Sequence, residues 1–299
     1  MVGERKFPAG RIALVGANGM LAQAVRRLIP ADAVTVFFDL PDFDLTNREQ
    51  VLAGLKEFGP ELILNCAAMT DVDGCESQEE LATRINGLGP GYLAEAALGC
   101  GARLVHVSTD YVFDGRKSNP WLEDDPTGPL SAYGRSKLAG ELAIRDSGLR
   151  DWLIVRTSWL FGPGGGNFVE TMLRLMSERR QLRVVDDQVG SPTYTDDLAE
   201  AMARLVTCGA RGVFHFANSG QCSWHGFACA IAEEARSCGM ALAIENIEPI
   251  TTADYPLPAQ RPAWSVLSTR KYQQETGACP PDWRAALRHY LKQGRGVLL

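Results

Sequence analysis

The sequence predicts an α/β fold in which a doubly wound parallel sheet is followed by a smaller C-terminal α/β lobe. Through residues 11–158, short β-rich runs alternate with helical patterns, the order expected of βαβ units. After residue 158, a glycine-rich segment (161–167) and several proline-rich connections interrupt this alternation. We therefore predict one domain at residues 1–158 and a second, mainly separate lobe at 159–299. A segment at about 182–218 is expected to return to the first domain.

The first β-rich run ends in a glycine turn. Arg11–Val15 is followed by Gly16, Gly19 and the small residue Ala22, and a helical pattern continues to Ile29. This context predicts a dinucleotide-binding loop of Rossmann type, since the first glycine permits the tight turn and the second lets the backbone approach a pyrophosphate. A plain βα turn is the alternative, because it also favours glycine. The loop residues assigned to the cofactor are Gly16, Asn18, Gly19, Met20 and Leu21.

Asp39 follows the second β-rich run, residues 33–38. An acidic residue about 20 positions beyond the glycine loop commonly binds the ribose 2′-hydroxyl of the dinucleotide. No arginine follows Asp39 directly to receive a 2′-phosphate, and Arg48 is the nearest basic side chain, which favours NADH over NADPH. The alternative is that Asp39 only begins a turn. The cofactor site is predicted to continue to two residues before the next helical pattern, Asp44 and Leu45.

The third β-rich run, residues 61–66, leads into small residues. Ala67, Ala68 and Thr70 follow it directly. Small residues at the carboxyl end of a strand suit a crevice in which a cofactor passes close to the backbone. These three residues are therefore added to the predicted cofactor site.

The fourth β-rich run, residues 102–109, ends in two hydroxyls, Ser108 and Thr109. Ligands of an open parallel sheet bind beyond the carboxyl ends of its strands. The Thr109 hydroxyl is therefore predicted to hydrogen-bond a substrate carbonyl and to steady the negative charge that develops there. A threonine that only closes a turn is the alternative.

Tyr133 and Lys137 lie four residues apart in a predicted helix. Ser131 is a candidate N-cap, and apolar residues recur after it with helical periodicity. Side chains at these positions share one helix face, so the phenol and the ammonium are predicted to enter one pocket. A neighbouring cation lowers the pKa of a phenol, as proton exchange near neutral pH requires. An amphipathic helix that carries both side chains by chance is the alternative.

Composition and charge narrow the function classes. A net charge of −6 and a pI near 5.4 argue against a general nucleic-acid or membrane-surface binder. No apolar run approaches the ~20 residues of a membrane-spanning helix, and Met1–Lys6 lack the apolar region of a signal peptide. The eight cysteines include no Cys-x-x-Cys pair, which predicts free thiols in a reducing compartment, and the four histidines lack metal-ligand spacing. We predict a cytoplasmic protein without a metal site.

Several short motifs occur in order along nearly the whole chain. They are Asn65–Asp73 with Glu76, Ser108–Gly115, Pro129–Glu141, Arg156–Trp159, Asp187–Thr193, Ser223–Trp224, and Arg261–Pro262 with Ser265. Each motif is weak alone, but the ordered set is specific. In these motifs the chain resembles the extended short-chain dehydrogenase/reductases, a superfamily that includes NAD-dependent epimerases and dehydratases. Within that superfamily it resembles the dTDP-4-dehydrorhamnose reductase family.

The resemblance implies an oxidoreductase that reduces the C4 ketone of a nucleotide sugar, dTDP-4-dehydro-L-rhamnose, with NADPH or NADH. The product would serve dTDP-rhamnose and cell-surface polysaccharide biosynthesis. Tyr133 would donate the proton, Lys137 would bind the nicotinamide ribose, and Thr109 would hold the carbonyl. The implied substrate contacts are Thr109, Asp110, Trp159, Asn167 and Arg261. The resemblance also allows Mg²⁺, and a monomer or a homodimer.

Three rival functions share this predicted fold. A sugar-nucleotide dehydratase would need an acid–base pair beside Thr109, typically Asp then Glu, whereas here Asp110 is followed by Tyr111. A C4 epimerase, which keeps its nicotinamide and consumes no reductant, is left open. A non-catalytic subunit is also left open because fold does not fix function. Such a subunit could lose Tyr133, Lys137 or Thr109, and all three are present.

Overall fold

The computed structural model describes residues 6–293. The strands are β1 (Arg11–Val15), β2 (Val34–Phe38), β3 (Leu62–Asn65), β4 (Arg103–Thr109), β5 (Trp152–Thr157), β6 (Leu160–Phe161), β7 (Gln181–Val185), β8 (Val189–Gly190), β9 (Thr193–Tyr194), β10 (Gly212–His215), β11 (Cys222–Ser223) and β12 (Asn246–Ile250). The α-helices are α1 (Met20–Leu28), α2 (Arg48–Phe58), α3 (Val72–Ser77), α4 (Glu79–Ala82), α5 (Gly89–Cys100), α6 (Ala132–Asp146), α7 (Phe168–Glu178), α8 (Thr195–Thr207), α9 (Trp224–Ser237), α10 (Arg270–Thr276) and α11 (Trp283–Gln293). Residues 1–5, on which the signal-peptide prediction mainly rests, lie outside the described range.

Six of these strands form one parallel sheet in the order β10-β5-β4-β3-β1-β2. The chain begins in β1, moves to one edge at β2 and then crosses to β3 on the other side of β1. The sheet is therefore wound in both directions, and the reversal opens a crevice at the carboxyl ends of β1 and β3. The predicted doubly wound α/β fold is confirmed.

Helices cover both faces of the central sheet. Residues 12–15 of β1 are at most 2% exposed, and their continuous apolar sequence is typical of a parallel strand buried on both sides. Helices α1 and α8 pack on one face, through residues such as Val25 and Met202. Helices α2 and α5 pack on the other, through residues such as Leu55 and Leu93. This packing fixes the positions of the strand ends at which the candidate site lies.

The pairing of β7 corrects one expectation. Residues 182–185 were expected to return to the central sheet, but β7 pairs in parallel with β12 in a separate two-stranded sheet. Only one face of β7 is apolar, because Leu182 and Val184 are buried while Arg183 is exposed. A central parallel strand is instead apolar on both faces. The expected return of residues 213–216 is found, since β10 is the edge strand beside β5.

The eight cysteines are free thiols in the structure. Cys75 and Cys238 are buried, whereas Cys208 and Cys279 are exposed. The other four, Cys66, Cys100, Cys222 and Cys229, are partly buried. Between residues 6 and 293, none of the helices combines the length and the apolar character that crossing a membrane requires.

Candidate active site

A cavity of about 530 Å³ lies at the carboxyl ends of the central strands. The glycine turn, the residues after β3, the end of β4 and the first turns of α6 all contribute to its wall. Its size is within the range of natural ligand sites. Of the residues predicted from the sequence, the cavity is lined by Gly19, Met20, Leu21, Ala68, Thr70, Thr109, Asp110, Tyr133, Lys137 and Trp159. The three predicted catalytic side chains therefore meet in one cavity.

The glycine turn fits a dinucleotide phosphate. Gly16 has φ +75°, and a Cβ atom there would lie 2.5 Å from the Cα atom of Ala67, so this turn requires glycine. Helix α1 starts at Met20, and its N-cap residue Gly19 has no side chain to bond the amides of the first turn. These amides and the positive end of the helix dipole are available to an anion at the cavity wall. The residues present therefore fit the pyrophosphate of NADH or NADPH.

Asp39 supports the glycine turn from the end of β2. One oxygen of its carboxylate accepts the backbone N–H of Asn18 at 2.7 Å, and the other accepts that of Leu40 at 2.8 Å. This places a carboxylate beside the loop, as the sequence predicts. Its contact with a ribose stays a prediction.

Asp44 and Leu45 take part in the connection that precedes α2. The Asp44 carboxylate accepts the backbone N–H and the hydroxyl of Thr46, both at 2.8 Å. Leu45 is 7% exposed and packs against Gly89 at the start of α5. Neither side chain lines the cavity, so their assignment to the cofactor also stays a prediction.

The start of α6 is held tightly against its neighbours. The Ser131 hydroxyl accepts the backbone N–H of Gly134 at 3.1 Å, which is the predicted N-cap. Glu76 accepts the backbone N–H of Ala132 at 2.7 Å. A Cβ atom at Gly134 would lie 2.3 Å from the carbonyl oxygen of Tyr111, so the helix approaches the turn after β4 as only glycine permits. This contact brings the first turn of α6 to the end of β4.

Tyr133 and Thr109 meet across that contact. The Thr109 side chain lies close enough to the Tyr133 phenol to oppose the effect of burial on its pKa. The Thr109 hydroxyl donates to the Asp110 carboxylate at 2.9 Å, and its oxygen accepts the backbone N–H of Tyr111 at 3.2 Å. These bonds fix the threonine oxygen beside the phenol. A carbonyl placed between the two groups would accept a hydrogen bond from the phenol, and one from the Thr109 hydroxyl once its hydrogen turns away from Asp110.

The predicted lowering of the Tyr133 pKa is not found. Burial raises the pKa of the phenol, and the side-chain groups that also act on it are Thr109, Asp110 and Cys75. The Nζ atom of Lys137 donates to the Val107 carbonyl at 2.6 Å. Tyr133 is therefore held in its protonated form, ready to act as an acid.

Lys137 is an unusual lysine. It is 3% exposed, and burial lowers its pKa to about 8, an effect that the nearby Glu141 carboxylate opposes. Glu141 is itself 0% exposed and pairs with Arg156 at 2.7 Å. The amine can therefore exchange a proton close to neutral pH.

Asp110 is a buried acid at the cavity wall. It is 2% exposed, its Oδ2 atom has no hydrogen-bond partner, and burial raises its pKa to about 7. Buried polar atoms without a partner are rare and often mark a ligand contact. The geometry is therefore compatible with the predicted contact between Asp110 and a polar group of the substrate.

Two stacked tryptophans border the cavity. Trp159 and Trp224 stack with ring centroids 3.6 Å apart and an interplanar angle of 6°. Trp159 has φ +47°, a conformation that residues other than glycine rarely adopt and that is concentrated at functional sites. The structure thus holds an aromatic face at the site through a strained backbone. Trp224 also lines the cavity, although the sequence analysis named it only as part of the Ser223–Trp224 motif.

A second cavity of about 830 Å³ lies on the other side of Trp224, which lines both cavities. Phe168 and Tyr255 add aromatic surface to it, and Arg179 adds positive charge. Arg261, a predicted substrate residue, lines this second cavity and pairs with Asp73 at 2.7 Å. The two cavities together offer room for a ligand with distinct polar and aromatic parts.

Asn167 is a predicted substrate contact, but its side chain is engaged at the start of α7. Its side-chain oxygen accepts the backbone N–H of Glu170 and caps α7, while its amide nitrogen donates to the Gly162 carbonyl at 2.9 Å. It lines neither cavity. A substrate contact for Asn167 remains a prediction.

Asn86 connects the segment before Thr70 to helix α6 by hydrogen bonds. It lies 1% exposed in a π-helical turn, residues 83–88, a feature that is frequent at functional sites. Its amide pairs with both backbone groups of Met69, at 2.8 and 3.0 Å, and donates to the Ser136 hydroxyl at 3.0 Å. These bonds position the segment before Thr70.

The side chains of residues 6–293 include no group of three or more His, Cys, Asp or Glu residues arranged to hold a metal ion. Whether Mg²⁺ binds stays a prediction of the resemblance. No step of the chemistry below depends on a metal.

The chain is similar to known proteins over nearly its whole length. A model of the RmlD substrate binding domain matches residues 10–295. The chain is 42% identical over 288 residues to dTDP-4-dehydrorhamnose reductase of Burkholderia thailandensis, with 93% of this chain and 96% of the relative covered. It is 43% identical over 284 residues to the spore coat polysaccharide biosynthesis protein SpsK of Bacillus subtilis, with 95% and 97% covered. A crystal structure of dTDP-4-dehydrorhamnose reductase from Bacillus anthracis in complex with NADP superposes with a TM-score of 0.90 and 36% identity, over 96% of this chain and 100% of that chain.

Proposed function

This chain belongs to the dTDP-4-dehydrorhamnose reductase family, and we propose that it reduces the C4 ketone of dTDP-4-dehydro-L-rhamnose with NADPH or NADH to give dTDP-L-rhamnose. One observation carries the proposal most directly. Thr109, Tyr133 and Lys137 line the same cavity as the first turn of α1, where the helix amides are available to a dinucleotide phosphate. This arrangement brings a hydroxyl, a phenol and an amine to a nicotinamide site.

The chain's own residues bind and protonate the substrate. A bound NADPH or NADH supplies the hydride. Thr109 holds the C4 carbonyl oxygen by hydrogen bonding, and Tyr133 donates its proton to that oxygen as negative charge develops there. Tyr133 and Thr109 line the same cavity, which allows both to reach one carbonyl oxygen. General acid catalysis contributes typically ~10²–10⁴-fold, so orientation of the substrate must provide much of the remaining acceleration.

Lys137 stabilises the site after the proton has left Tyr133. It lines the cavity one helical turn from the phenol, and its positive charge favours the phenolate that forms there. We also assign Lys137 to the nicotinamide ribose. Asp110 and Trp159 lie on the substrate side, where they can hydrogen-bond and stack on the hexose.

The nucleotide half of the substrate is assigned to the second cavity. A protein with a net charge of −6 needs locally placed cations to bind a diphosphate. Arg179, Arg183 and Arg261 line this cavity, and its aromatic surface can stack on a base. Trp224 lies between the two cavities, so a nucleotide sugar can place its hexose in the first and its nucleotide in the second.

The choice between NADH and NADPH depends on Asp39. A carboxylate beside the ribose favours a 2′-hydroxyl and repels a 2′-phosphate. The two oxygens of Asp39 already accept backbone hydrogen bonds from the loop, which leaves fewer lone pairs for a hydroxyl. We propose that either cofactor is used, with a preference for NADH.

The division of the chain remains part of the proposal. We assign residues 1–158 and the returning strand β10 to cofactor binding, and most of 159–299 to substrate binding. The second cavity supports this assignment, because most of its lining lies in residues 168–261. We also place the protein in the cytoplasm as a monomer or homodimer that binds neither nucleic acid nor membrane. Its free thiols suit a reducing compartment.

The test is an assay with dTDP-4-dehydro-L-rhamnose and either NADPH or NADH, followed by loss of nicotinamide absorbance and by NMR of the sugar product. We expect one nicotinamide to be oxidised for each dTDP-L-rhamnose formed. Deuterium from the 4-position of labelled cofactor should appear at C4 of the sugar. Interconversion of the C4 epimers of dTDP-L-rhamnose without net oxidation of the cofactor would identify an epimerase, and absence of turnover with both cofactors would favour a non-catalytic subunit.

A further inference from the structure

Three buried polar side chains lead from β3 to the catalytic helix. Asn65 and His106 are direct neighbours in the β3–β4 ladder, and His106 reaches Lys137 on α6. Asn65 is 1% exposed, His106 is 0% exposed and Lys137 is 3% exposed. The proposed chemistry uses only the lysine. Buried polar groups are retained when they are hydrogen-bonded, so the orientation of each bond in this chain matters.

The orientation of the Asn65 amide is fixed by the backbone. Its Oδ1 atom accepts the backbone N–H of Ala67 at 3.0 Å, so its Nδ2 atom must point to Nδ1 of His106, 2.9 Å away. An amide nitrogen can only donate, and Nδ1 of His106 must therefore accept. Burial keeps the pKa of His106 well below its ordinary value, so the ring is neutral. The single ring proton therefore resides on Nε2.

This tautomer directs an N–H group at the amine of Lys137. The Nε2 atom of His106 lies 3.5 Å from Nζ of Lys137. A lysine ammonium has three donors and no acceptor, so in its charged form two donors face each other. A neutral amine would instead offer its lone pair to the imidazole N–H. The Val107 carbonyl, at 2.6 Å, can accept a hydrogen bond from either form.

Among the other groups around Lys137, only Glu141 favours its charged form. Cys66 faces it from the end of β3, but burial raises the pKa of this thiol to about 12, so it stays neutral. Glu141 lies one turn further along α6, and its carboxylate is already engaged by Arg156 and by the Ser108 hydroxyl. Tyr133, one turn earlier, is protonated. His106 is therefore the neighbour whose fixed N–H bears most directly on the protonation of the amine.

We propose that His106 is a positioning residue that acts through Lys137. Its Nε2–H, fixed by Asn65, disfavours the ammonium form, and so makes Lys137 a proton-exchanging amine near neutral pH. The functional consequence rests on the proposed function, since it concerns the pH at which turnover declines. The electrostatic claim itself concerns the protein alone and can be tested without substrate.

The test is a pH titration of the lysine side chains by NMR, on protein with labelled lysine. The sequence contains six lysines, so the signals are few, and Lys137→Arg identifies the relevant one. We expect His106→Leu to raise the pKa of Lys137 by about one unit, a roughly tenfold change in its protonation equilibrium. The declining limb of the pH–rate profile should move upward by the same amount.

A second variant and a matched control separate this effect from a structural one. Asn65→Asp keeps the acceptor for Ala67, but its second oxygen accepts a hydrogen bond from Nδ1–H of His106. Nε2 then presents a lone pair to Lys137, and the titration should also move upward. His215→Leu removes another histidine that is 0% exposed in the same sheet, one that faces Arg156 instead. It should leave the Lys137 titration where it is in the wild type.

Two results would overturn the proposal. One is an unchanged Lys137 titration in a folded His106→Leu or Asn65→Asp protein. The other needs only the wild type: ¹⁵N shifts of His106 that place its proton on Nδ1 contradict the assigned tautomer, even where both variants fail to fold. A displaced Lys137 titration in a protein without reductase activity would instead refute the proposed function and leave this inference standing.

Discussion

Replacing Asp110 with asparagine should make the stability of the protein less dependent on pH. Burial raises the pKa of this carboxyl group to about 7, whereas that of an aspartate in an unfolded chain is about 4. Between these values the folded protein binds more protons than the unfolded chain. Each unit by which the pH rises within that window therefore lowers the free energy of unfolding by about 1.4 kcal/mol. Over the whole window the wild type loses about 4 kcal/mol, and the variant does not.

The assay is equilibrium unfolding in urea at several pH values between about 4 and 8, followed by tryptophan fluorescence. Asparagine has nearly the same shape as aspartate, and the Thr109 hydroxyl can still donate to its oxygen. Any offset from the new amide hydrogens is independent of pH. We therefore expect the stability difference between variant and wild type to grow by about 4 kcal/mol in favour of Asp110→Asn as the pH rises.

The control is Asp42→Asn, which makes the same chemical change at an exposed position. Its stability difference from the wild type should vary little over the same range. A pH-independent difference for Asp110→Asn would refute the argument, because it would show that the buried carboxyl group ionises equally in the folded and unfolded states.

Three further changes test other contacts of the site. Glu141→Gln should lower the free energy of unfolding by about 3–5 kcal/mol in urea titrations, because it leaves Arg156 as a buried charge without its partner; a loss below about 1 kcal/mol would contradict this. Gly16→Ala should abolish binding of NADPH and NADH in fluorescence titrations, since its Cβ atom would lie 2.5 Å from the Ala67 backbone; retained affinity would count against the loop assignment. Trp224→Ala should raise the KM for the nucleotide sugar with a smaller change in cofactor affinity, and an unchanged KM would remove Trp224 from substrate binding.

Local patterns predicted much of the fold and several site residues. The turn at Gly16 and the cap at Ser131 depend on neighbours within a few positions, so the sequence alone is sufficient for them. The sequence could also predict that Thr109 and Tyr133 line one cavity, because ligands of a parallel sheet bind beyond the carboxyl ends of its strands and Thr109 ends such a strand.

Contacts between distant segments could not be predicted in this way. The stacking of Trp159 on Trp224 joins residues from separate elements of the lobe, and no periodicity indicates it. The pairing of β7 with β12 depends on a partner that contains a proline, Pro249, and carries little strand signal.

The prediction that the pKa of Tyr133 is lowered was wrong, and the reason is physical. Spacing along α6 places Lys137 on the same face, but it does not show that the amine is bound to the Val107 carbonyl. Burial then has the larger effect on the phenol. The contact between His106 and Lys137 could not be predicted for the same reason, because an isolated histidine in an apolar strand does not indicate which residue its ring will contact.

The turnover of Tyr133→Phe, measured with saturating NADPH and dTDP-4-dehydro-L-rhamnose, tests the central claim most directly. We expect kcat to fall by roughly 10²–10⁴-fold while the dissociation constant for NADPH stays within about twofold, because only the proton donor is lost. Tyr92→Phe, which removes a phenol hydroxyl outside the cavity, should retain wild-type turnover. A kcat for Tyr133→Phe close to that of the wild type would contradict the assignment of the phenol as the acid.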